Sequence, residues 1–158
     1  MRAADLDHLD HAILRMLQED SRTIAETIGA RVGLSAAAVQ RRIKRLRANG
    51  VIAREVAVLD PEAVGVGMTF IVAVEMEHGQ RDVLDAFRKQ ALADAAVQQC
   101  YHVTGRTDFV LVVNCRDLSE FDAFTNRMFF DNCEVRHFTT SVVLDRIKAG
   151  LTIPLDGG

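Results

Sequence analysis

The stretch that decides the fold covers residues 24–50 and reads IAETIGARVGLSAAAVQRRIKRLRANG. Gly33 lies between two segments with helical spacing of apolar residues, and glycine tolerates the positive φ of a tight turn between steeply crossing helices. Gly29 lies four residues earlier, where the crossing needs a small side chain. We expect Leu34 to fill the gap between the helices and Ser35 to cap the second one. The stretch therefore has the pattern of a helix-turn-helix.

Apolar residues at helical spacing predict three helices in this part of the chain, over 6–19, 24–31 and 36–48. Asp5 or Asp7 is available to cap the first of them. We expect the apolar residues to face a shared core, namely Leu6, Leu9, Ile13 and Leu17 in the first helix, Ile24, Ile28 and Val32 in the second, and Val39, Ile43 and Leu46 in the third.

The outer face of the third predicted helix carries residue types that suit the major groove of DNA. Five cations occur among the seven residues Arg41–Arg47, although the whole chain has a net charge of −3. A run of charge alone indicates only a solvated face, but a basic face on a helix-turn-helix favours DNA. Small residues at the start of the helix allow close approach, glutamine reads adenine and arginine reads guanine. The candidate DNA-binding residues are Ser35, Ala36, Ala37, Gln40, Arg41, Lys44 and Arg45.

Composition excludes several other classes of protein. Apolar residues make up 49% of the 158 residues and charged residues 26%, which is ordinary for a globular chain. No apolar run approaches the roughly 18 residues of a membrane span, and the acidic start is not a signal peptide. We therefore expect a cytoplasmic protein without membrane contact. The three cysteines lack CxxC spacing and the five histidines lack an HExxH pair, so free thiols, no metal site and no cofactor are predicted.

The rest of the chain alternates strands and helices. Residues 51–60 are predicted to form a short strand, and a glycine-punctuated joint follows up to residue 67. Further strands are predicted over 68–77, 97–104, 108–115 and 136–147. One helix is indicated by Val83, Leu84, Phe87 and Leu92, and a second, through Phe121, Phe124 and Met128, by an apparent capping box of Asp117 and Glu120.

This order, βαββαβ, is that of the ferredoxin-like fold, an antiparallel four-stranded sheet with two helices on one face. The predicted fold class is α+β, with an all-α helix-turn-helix domain over 1–50, a linker over 51–67 and a ligand-binding and oligomerisation domain over 68–158. Segment 109–113 is apolar on both sides of its strand, so the second face of the sheet also needs a cover. A second copy of the same sheet supplies that cover most simply, which predicts a dimer.

Nearly the whole chain resembles the Lrp/AsnC (leucine-responsive, feast/famine) family of bacterial and archaeal regulators. The resemblance rests on Leu6, Asp7, Asp10, Ile13, Leu14, Leu17, Gln18, Asp20, Arg22, Val32–Ser35, Val39, Arg42–Leu46, Gly50–Ile52, Asp60, Pro61, Val103–Gly105, Asp108, Thr140, Val142–Leu144 and Lys148. It implies a transcriptional regulator and not an enzyme. It also implies dimers that assemble into tetramers or octamers and bind amino acids or similar small molecules between dimers.

The resemblance also indicates an effector-binding loop. Its exposed backbone N–H groups suit a carboxylate and its aspartate suits an ammonium group. The candidate effector-binding residues are Thr104, Gly105, Arg106, Thr107, Asp108 and Thr140. The alternative is an ordinary hairpin turn in which Asp108 accepts hydrogen bonds from backbone N–H groups.

The chain departs from the family pattern at four places. Thr107 stands where an aromatic residue is common, Arg106 adds a cation, and 131–134 replaces a proline-glycine pair. Gly29 stands where alanine is commoner, which predicts a soft second helix because glycine costs roughly 1 kcal/mol of helix propensity.

Two other functions fit parts of the sequence. A sirohaem-decarboxylase-like enzyme on the same fold would use His102 with Arg106 or Arg136 to bind porphyrin carboxylates. A sensor or oligomerisation module without DNA binding would leave the basic third helix unexplained. The sequence therefore favours a ligand-responsive regulator that binds double-stranded DNA.

Overall fold

The computed structural model describes residues 6–77, 80–132 and 134–155 of the chain. They group into two units. One contains the residues up to Val58 together with those from Lys148 onwards, and the other runs from Leu59 to Ile147. The sequence prediction had assigned the C-terminal segment to a domain over 68–158, so the extent of the domains stays a prediction.

The first unit contains three helices, α1 (His8–Glu19), α2 (Ala25–Val32) and α3 (Ala36–Ala48). The predicted helices are confirmed to within two residues at each end. Asp7 caps α1, because its side chain accepts the backbone N–H of Asp10 while the Asp10 side chain accepts that of Asp7. This pair satisfies two N–H groups that the start of a helix leaves without intrahelical partners. Asp5, the other candidate cap, lies outside the described residues.

The helices enclose a small apolar core around Ile13, Ile28, Val39 and Ile43. Leu34 packs against this core, as predicted. The prediction for Ile24 was wrong, since 62% of this residue is exposed. Ile24 is the N-cap of α2 in extended conformation, so it precedes the helical face on which Ile28 lies.

The crossing of α2 and α3 depends on two glycines. Gly33 ends α2 with a φ of +73°, a conformation that residues with a Cβ adopt only with strain. Gly29 lies under the turn, where an added Cβ would be 2.4 Å from the carbonyl oxygen of Leu34. The backbone N–H of Leu34 also donates to the carbonyl of Gly29 at 3.0 Å. Gly29 is thus required for the close approach of the helices, which confirms the prediction that the crossing needs a small residue there.

A buried carboxylate ties α1 to α3. The Asp10 side chain is 0% exposed and accepts hydrogen bonds from Nη1 of Arg42, at 2.8 Å, and from Nη2 of Arg45. Nη1 of Arg42 also donates to Asp7 at 2.7 Å. A buried charge is costly unless it is paired and hydrogen-bonded, and here both oxygens of Asp10 have a guanidinium partner. The pairing fixes how α3 is rotated against α1.

The second unit contains β1 (Met68–Met76), α4 (Arg81–Ala93), β2 (Val97–His102), β3 (Phe109–Cys115), α5 (Leu118–Thr125), a π-helical segment (Asn126–Phe130) and β4 (Val135–Val142). The strands lie in the order β2-β3-β1-β4 and every neighbouring pair is antiparallel. This is the predicted βαββαβ arrangement, and the α+β fold class is confirmed.

The two faces of the sheet differ in burial. The alternate residues Phe70, Val72 and Val74 of β1 are buried in one core with the apolar faces of the helices. On the other face, Ile71 is 44% exposed and Tyr101 is 52% exposed. The second face is therefore largely apolar at its centre and carries no helix of this unit.

Two predictions for the strands were wrong. Residues 51–60 form no strand, because no neighbouring strand offers its backbone groups to them. The last strand ends at Val142 and not at residue 147. The helix indicated by Val83, Leu84, Phe87 and Leu92 is confirmed as α4, in which Leu92 is 82% exposed while Phe87 and Ala91 enter the core.

Only one of the two hydrogen bonds of the capping box predicted for α5 is present. Asp117 accepts the backbone N–H of Glu120 at 2.8 Å. The Glu120 carboxylate instead accepts the backbone and side-chain N–H groups of Arg116. Among the described residues, no helix is both long and apolar enough to cross a membrane.

Replacing Gly29 by alanine is expected to lower the free energy of unfolding by about 1–3 kcal/mol, because the Leu34 carbonyl must move away from the new Cβ. Helix propensity alone predicts a gain of about 1 kcal/mol. Urea unfolding followed by circular dichroism measures the difference. Ala30→Gly, at an exposed position of the same helix, is the control and should cost only about 1 kcal/mol. A more stable Gly29→Ala variant would contradict the close crossing.

Replacing Asp10 by asparagine is expected to lower the free energy of unfolding by about 2–3 kcal/mol, because the amide faces a guanidinium with donor N–H groups. The same unfolding experiment measures it. Asp20→Asn removes an exposed carboxylate after the same helix and should change stability by less than about 0.5 kcal/mol. Equal effects of the two substitutions would show that the buried pairing does not stabilise the unit.

Candidate DNA-binding and effector sites

The predicted DNA-binding residues lie at and along α3. Ala37, Gln40, Arg41 and Lys44 follow one another at the spacing of a single helix face and are all exposed. The buried residues of α3, which include Val39, lie on the opposite face. The structure therefore brings these four side chains together on the free surface of the helix.

The start of α3 is built as predicted. The Ser35 hydroxyl accepts the backbone N–H of Ala38 at 3.2 Å and so caps the helix. Ala36 is half-buried and Ala37 is exposed. No large side chain follows the cap until Val39, which points into the core. The N-terminal turn of α3 is thus narrow enough to approach another surface closely.

The cations of α3 fall into two groups. Arg42 and Arg45 bind Asp10, and Arg47 binds Glu55 with two hydrogen bonds of 2.7 and 3.1 Å. Hydrogen bonding to Asp10 raises the pKa of Arg42 above its usual value. Within the described part of the chain, the side chains of Arg41 and Lys44 have no hydrogen-bond or ion-pair partner.

Sequence reasoning missed the roles of Asp10 and Arg42. The signal was present, since Asp10 occupies the apolar stripe of α1 with Ile13, Leu14 and Leu17. A carboxylate in such a stripe indicates a buried group that needs a cationic partner. The backbone N–H of Asp10, and after it the Arg42 guanidinium, hold the pKa of the neighbouring Asp7 below its usual value.

The predicted effector loop joins β2 to β3. Gly105 adopts a φ of +125°, which other residues avoid, and has open space around its Cα. Thr104 and Arg106 are exposed, and Thr107 is half-buried. Arg106 has no side-chain partner among the described residues. The loop thus presents backbone and a free cation at one end of the sheet.

Asp108 fastens this loop to β1. Its backbone N–H donates to the carbonyl of Val74 at 2.8 Å, and its Oδ2 accepts the backbone N–H of Met76 at 2.8 Å. The register of β1 against β4 shifts between Glu75 and Met76, so the aspartate satisfies an N–H at this irregularity. One carboxylate oxygen of Asp108 therefore accepts a backbone N–H, as the alternative of an ordinary hairpin turn predicts.

Thr140 does not join the loop within one chain. Thr140 lies on β4, opposite Val72 of β1, whereas the loop contacts β1 at Met76. Four residues of strand separate these levels by roughly 13 Å. The Thr140 hydroxyl is buried and has no hydrogen-bond partner among the described residues. The predicted effector residues thus form two separate places on the sheet.

A charged groove lies at the opposite end of β3. Its arginines are paired, Arg127 with Asp94 at 2.6 Å and Arg116 with Glu120 at 3.1 Å. The hydrogen bond from Arg127 lowers the pKa of Asp94. Because its charges are already neutralised, the groove is a weaker candidate for an ionic ligand than the effector loop.

The cysteines and histidines form no reactive site among the described residues. Burial raises the pKa of the Cys115 thiol to about 11, so the thiol stays protonated at neutral pH. Cys100 is half-buried, and Cys133 lies outside the described residues. The described part of the chain brings together no three His, Cys, Asp or Glu side chains that could hold a metal ion.

Both parts of the chain match known protein families. Residues 6–47 match the AsnC-type helix-turn-helix domain, and residues 69–153 match the Lrp/AsnC ligand binding domain. An uncharacterised HTH-type transcriptional regulator of Sinorhizobium fredii is 40% identical over 154 residues, which are 98% of this chain and 91% of that protein.

Solved structures agree with these matches. The crystal structure of an AsnC family transcriptional regulator of Agrobacterium tumefaciens has a TM-score of 0.87 and 33% identity, and covers 94% of this chain and 97% of that one. A transcriptional regulator of Neisseria meningitidis in complex with L-methionine has a TM-score of 0.88 and 30% identity, and covers 96% and 97%. With a helix-turn-helix and a ligand-binding sheet that match one family in the same order, the protein belongs to the Lrp/AsnC family of DNA-binding transcriptional regulators.

Proposed function

We propose that the regulator reads its operator through the free face of α3, with Ala37, Gln40, Arg41 and Lys44 in the major groove. The observation that carries this proposal is the division of cations on α3. Arg42, which faces α1, is paired with carboxylates, whereas the exposed Arg41 and Lys44 have no partner among the residues that the structure describes. Unpaired cations beside a glutamine and an alanine match the contacts by which helices read bases and phosphates.

Arg45 has a double role in this proposal. One Nη of its guanidinium binds Asp10, but 49% of the side chain is exposed. A guanidinium carries five N–H donors, so donors remain for a phosphate oxygen. Arg45 thereby fixes the rotation of α3 and contacts the DNA backbone, which positions the reading face without specifying sequence. Ser35, as the cap of α3, and Ala36 complete the part of the helix nearest the groove.

We propose that the regulator is a dimer whose subunits meet through the uncovered face of the sheet. The exposed centre around Ile71 and Tyr101 is the kind of apolar surface that a second copy covers. Higher assembly, to a tetramer or octamer, follows from the family. A two-fold dimer pairs with a pseudo-palindromic operator whose half-sites lie about one helical turn, or a multiple of it, apart.

We propose that an amino acid binds at the loop Thr104–Asp108. Gly105 leaves its backbone open to a carboxylate, and the oxygen of Asp108 that does not bind Met76 suits an ammonium group. The related Neisseria regulator forms a complex with L-methionine. Because Thr140 lies apart from the loop in one chain, an effector that contacts both needs two chains, as in a cleft between dimers.

The alternative functions have weaker support. A porphyrin-binding enzyme would use His102 with Arg106 or Arg136 in one cleft; Arg106 lies on the loop after β2, but His102 and Arg136 belong to β2 and β4, the opposite edges of the sheet. His102 also contacts Arg88 at 3.0 Å, and Arg136 binds Glu75. A sensor without DNA binding would have no use for the free cations of α3. We therefore propose a regulator without enzymatic activity.

Replacing Arg41 or Lys44 by alanine is expected to weaken DNA binding about tenfold or more and to reduce the slope of log Kd against log salt by about 1, because each removes a cation from the interface. Titration of a duplex selected by the protein from a random pool, at several salt concentrations, measures both. Lys89→Ala removes an exposed cation from α4 as a control for net charge. An effect of Lys89→Ala as large as that of Lys44→Ala would contradict the assignment of α3.

Replacing Asp108 by asparagine is expected to weaken effector binding by about 10- to 100-fold, because the amide oxygen still accepts the Met76 N–H but the charge for the ammonium group is lost. Calorimetry with the twenty amino acids, L-methionine first, measures the affinity. Asp145→Asn, which removes an exposed carboxylate elsewhere, is the control. If Asp108→Asn bound the same amino acid with unchanged affinity, the loop would not hold the ammonium group.

A further inference from the structure

The DNA-binding unit is made of two pieces that are distant in sequence. Its helices come from the start of the chain, but the segment from Lys148 onwards belongs to the same unit. The contact between the pieces is a pair of hydrogen bonds at the end of α1. Nε2 of Gln18 donates to the carbonyl of Ile153 at 3.2 Å, and the N–H of Ile153 donates to Oε1 of Gln18 at 2.9 Å. The amide side chain thus binds both polar groups of one residue, as a neighbouring strand does.

The chain just before this segment is anchored in the other unit. Beyond the end of β4, the N–H of Val143 donates to the carbonyl of Thr69 at 2.9 Å. The Arg146 guanidinium then donates to the side chains of Thr69 and Asn114, which also bind each other at 2.9 Å. The chain leaves the ligand-binding sheet from a point held to both β1 and β3.

Two connections therefore join the units, one after Val58 and one after Ile147. The first leads into a turn closed by the N–H of Val66 and the carbonyl of Pro61 at 2.8 Å, and it contains no strand or helix. The second is short, because the stretch from Ile147 to Ile153 reaches at most about 20 Å even when fully extended. Fastening Ile153 to α1 turns a free C-terminal segment into a second tether.

We propose that residues 148–155 are a strap that restricts the movement of each DNA-binding unit, with Gln18 as its fastening residue. The proposal rests on the proposed function, since it concerns a dimer that binds two half-sites. A dimer binds the second half-site at an effective concentration set by the length and stiffness of the connections. Restricting both units before binding reduces the entropy lost on binding. The strap thus strengthens binding to duplexes with two half-sites and leaves the affinity for a single half-site unchanged.

The test compares the full-length protein with Gln18→Met, which keeps the length and helix propensity of the side chain but loses both hydrogen bonds. Ile153→Pro removes the N–H from the other side of the contact. Binding is measured on two duplexes selected with the wild-type protein, one with both half-sites and one with a single half-site. Each variant should bind the two-half-site duplex about 3- to 10-fold more weakly and the single half-site unchanged. The affinity of the double variant for the two-half-site duplex should be no lower than that of the weaker-binding single variant.

Two further measurements make the result specific. Hydrogen exchange of the Ile153 amide should be at least about tenfold faster in Gln18→Met, because its acceptor is gone. Gln98→Met makes the same chemical change at an exposed position of β2 and should alter neither exchange at Ile153 nor DNA binding. Sedimentation velocity checks that every variant has the same assembly state as the wild type.

Three outcomes would overturn the strap. Unchanged exchange at Ile153 in Gln18→Met would show that Gln18 does not hold the segment. Faster exchange with unchanged binding of both duplexes would show that the segment does not restrict the DNA-binding units. Equal weakening on both duplexes would show that Gln18 only stabilises the helices. In each of these three outcomes the wild-type protein still binds DNA, so the proposed function stands and only the strap fails. A wild-type protein that bound neither duplex would overturn the proposed function as well as the strap.

Discussion

The ion pairing of Asp10 is the constraint on which the DNA-binding unit depends. Three short helices bury few apolar side chains, so a small core has to be supplemented by polar contacts that fix geometry. The two guanidinium groups on one buried carboxylate supply that contact between α1 and α3. An apolar pair at this position would allow α3 to rotate about its axis. A carboxylate with a separate partner for each oxygen prevents this rotation. The pairing therefore sets the direction in which the exposed face of α3 points.

The basic segment of α3 shows how one run of charge divides between structure and recognition. Arg42 faces α1 and stabilises the fold, Arg45 binds Asp10 while staying half exposed, and Arg41 and Lys44 have no partner in the described part of the chain. A similar division occurs in the effector loop, where Asp108 uses one oxygen to hold β1. In both places a residue proposed for binding is oriented by a contact inside the fold. Residues oriented in this way lose little conformational entropy on binding.

The parts of the fold that were predictable are those encoded by local rules. The turn at Gly33, the cap at Ser35 and the βαββαβ order follow from residue preferences and periodicity within short windows. The strand expected over 51–60 was wrong because a strand exists only with a partner, and periodicity does not reveal whether one is available. The need for a small residue at Gly29 was predictable from the turn, but helix propensity alone does not reveal the Leu34 carbonyl that lies against it.

For the candidate sites, the sequence identified the exposed faces but not the pairing of charges. The seven residues predicted for DNA binding do lie at and along one helix, yet nothing in the run Arg41–Arg47 tells which cation is neutralised. That depends on Asp10, some thirty residues earlier in the chain. Thr140 was included through the family resemblance, and the distance between its strand and the loop becomes visible only with the register of β4. Contacts between distant residues are the information that local patterns lack.

The discontinuous DNA-binding unit also has a consequence for how the protein is made. The three helices leave the ribosome before the sheet, and they are able to assemble around Ile13 and Ile28 while the sheet is still being synthesised. The residue that closes the unit, Ile153, follows the whole sheet in the chain. The unit is therefore completed only after the whole ligand-binding sheet has been translated. A chain that stops before Ile153 carries the helices without this contact to Gln18, so completion of the DNA-binding unit requires synthesis beyond the ligand-binding sheet.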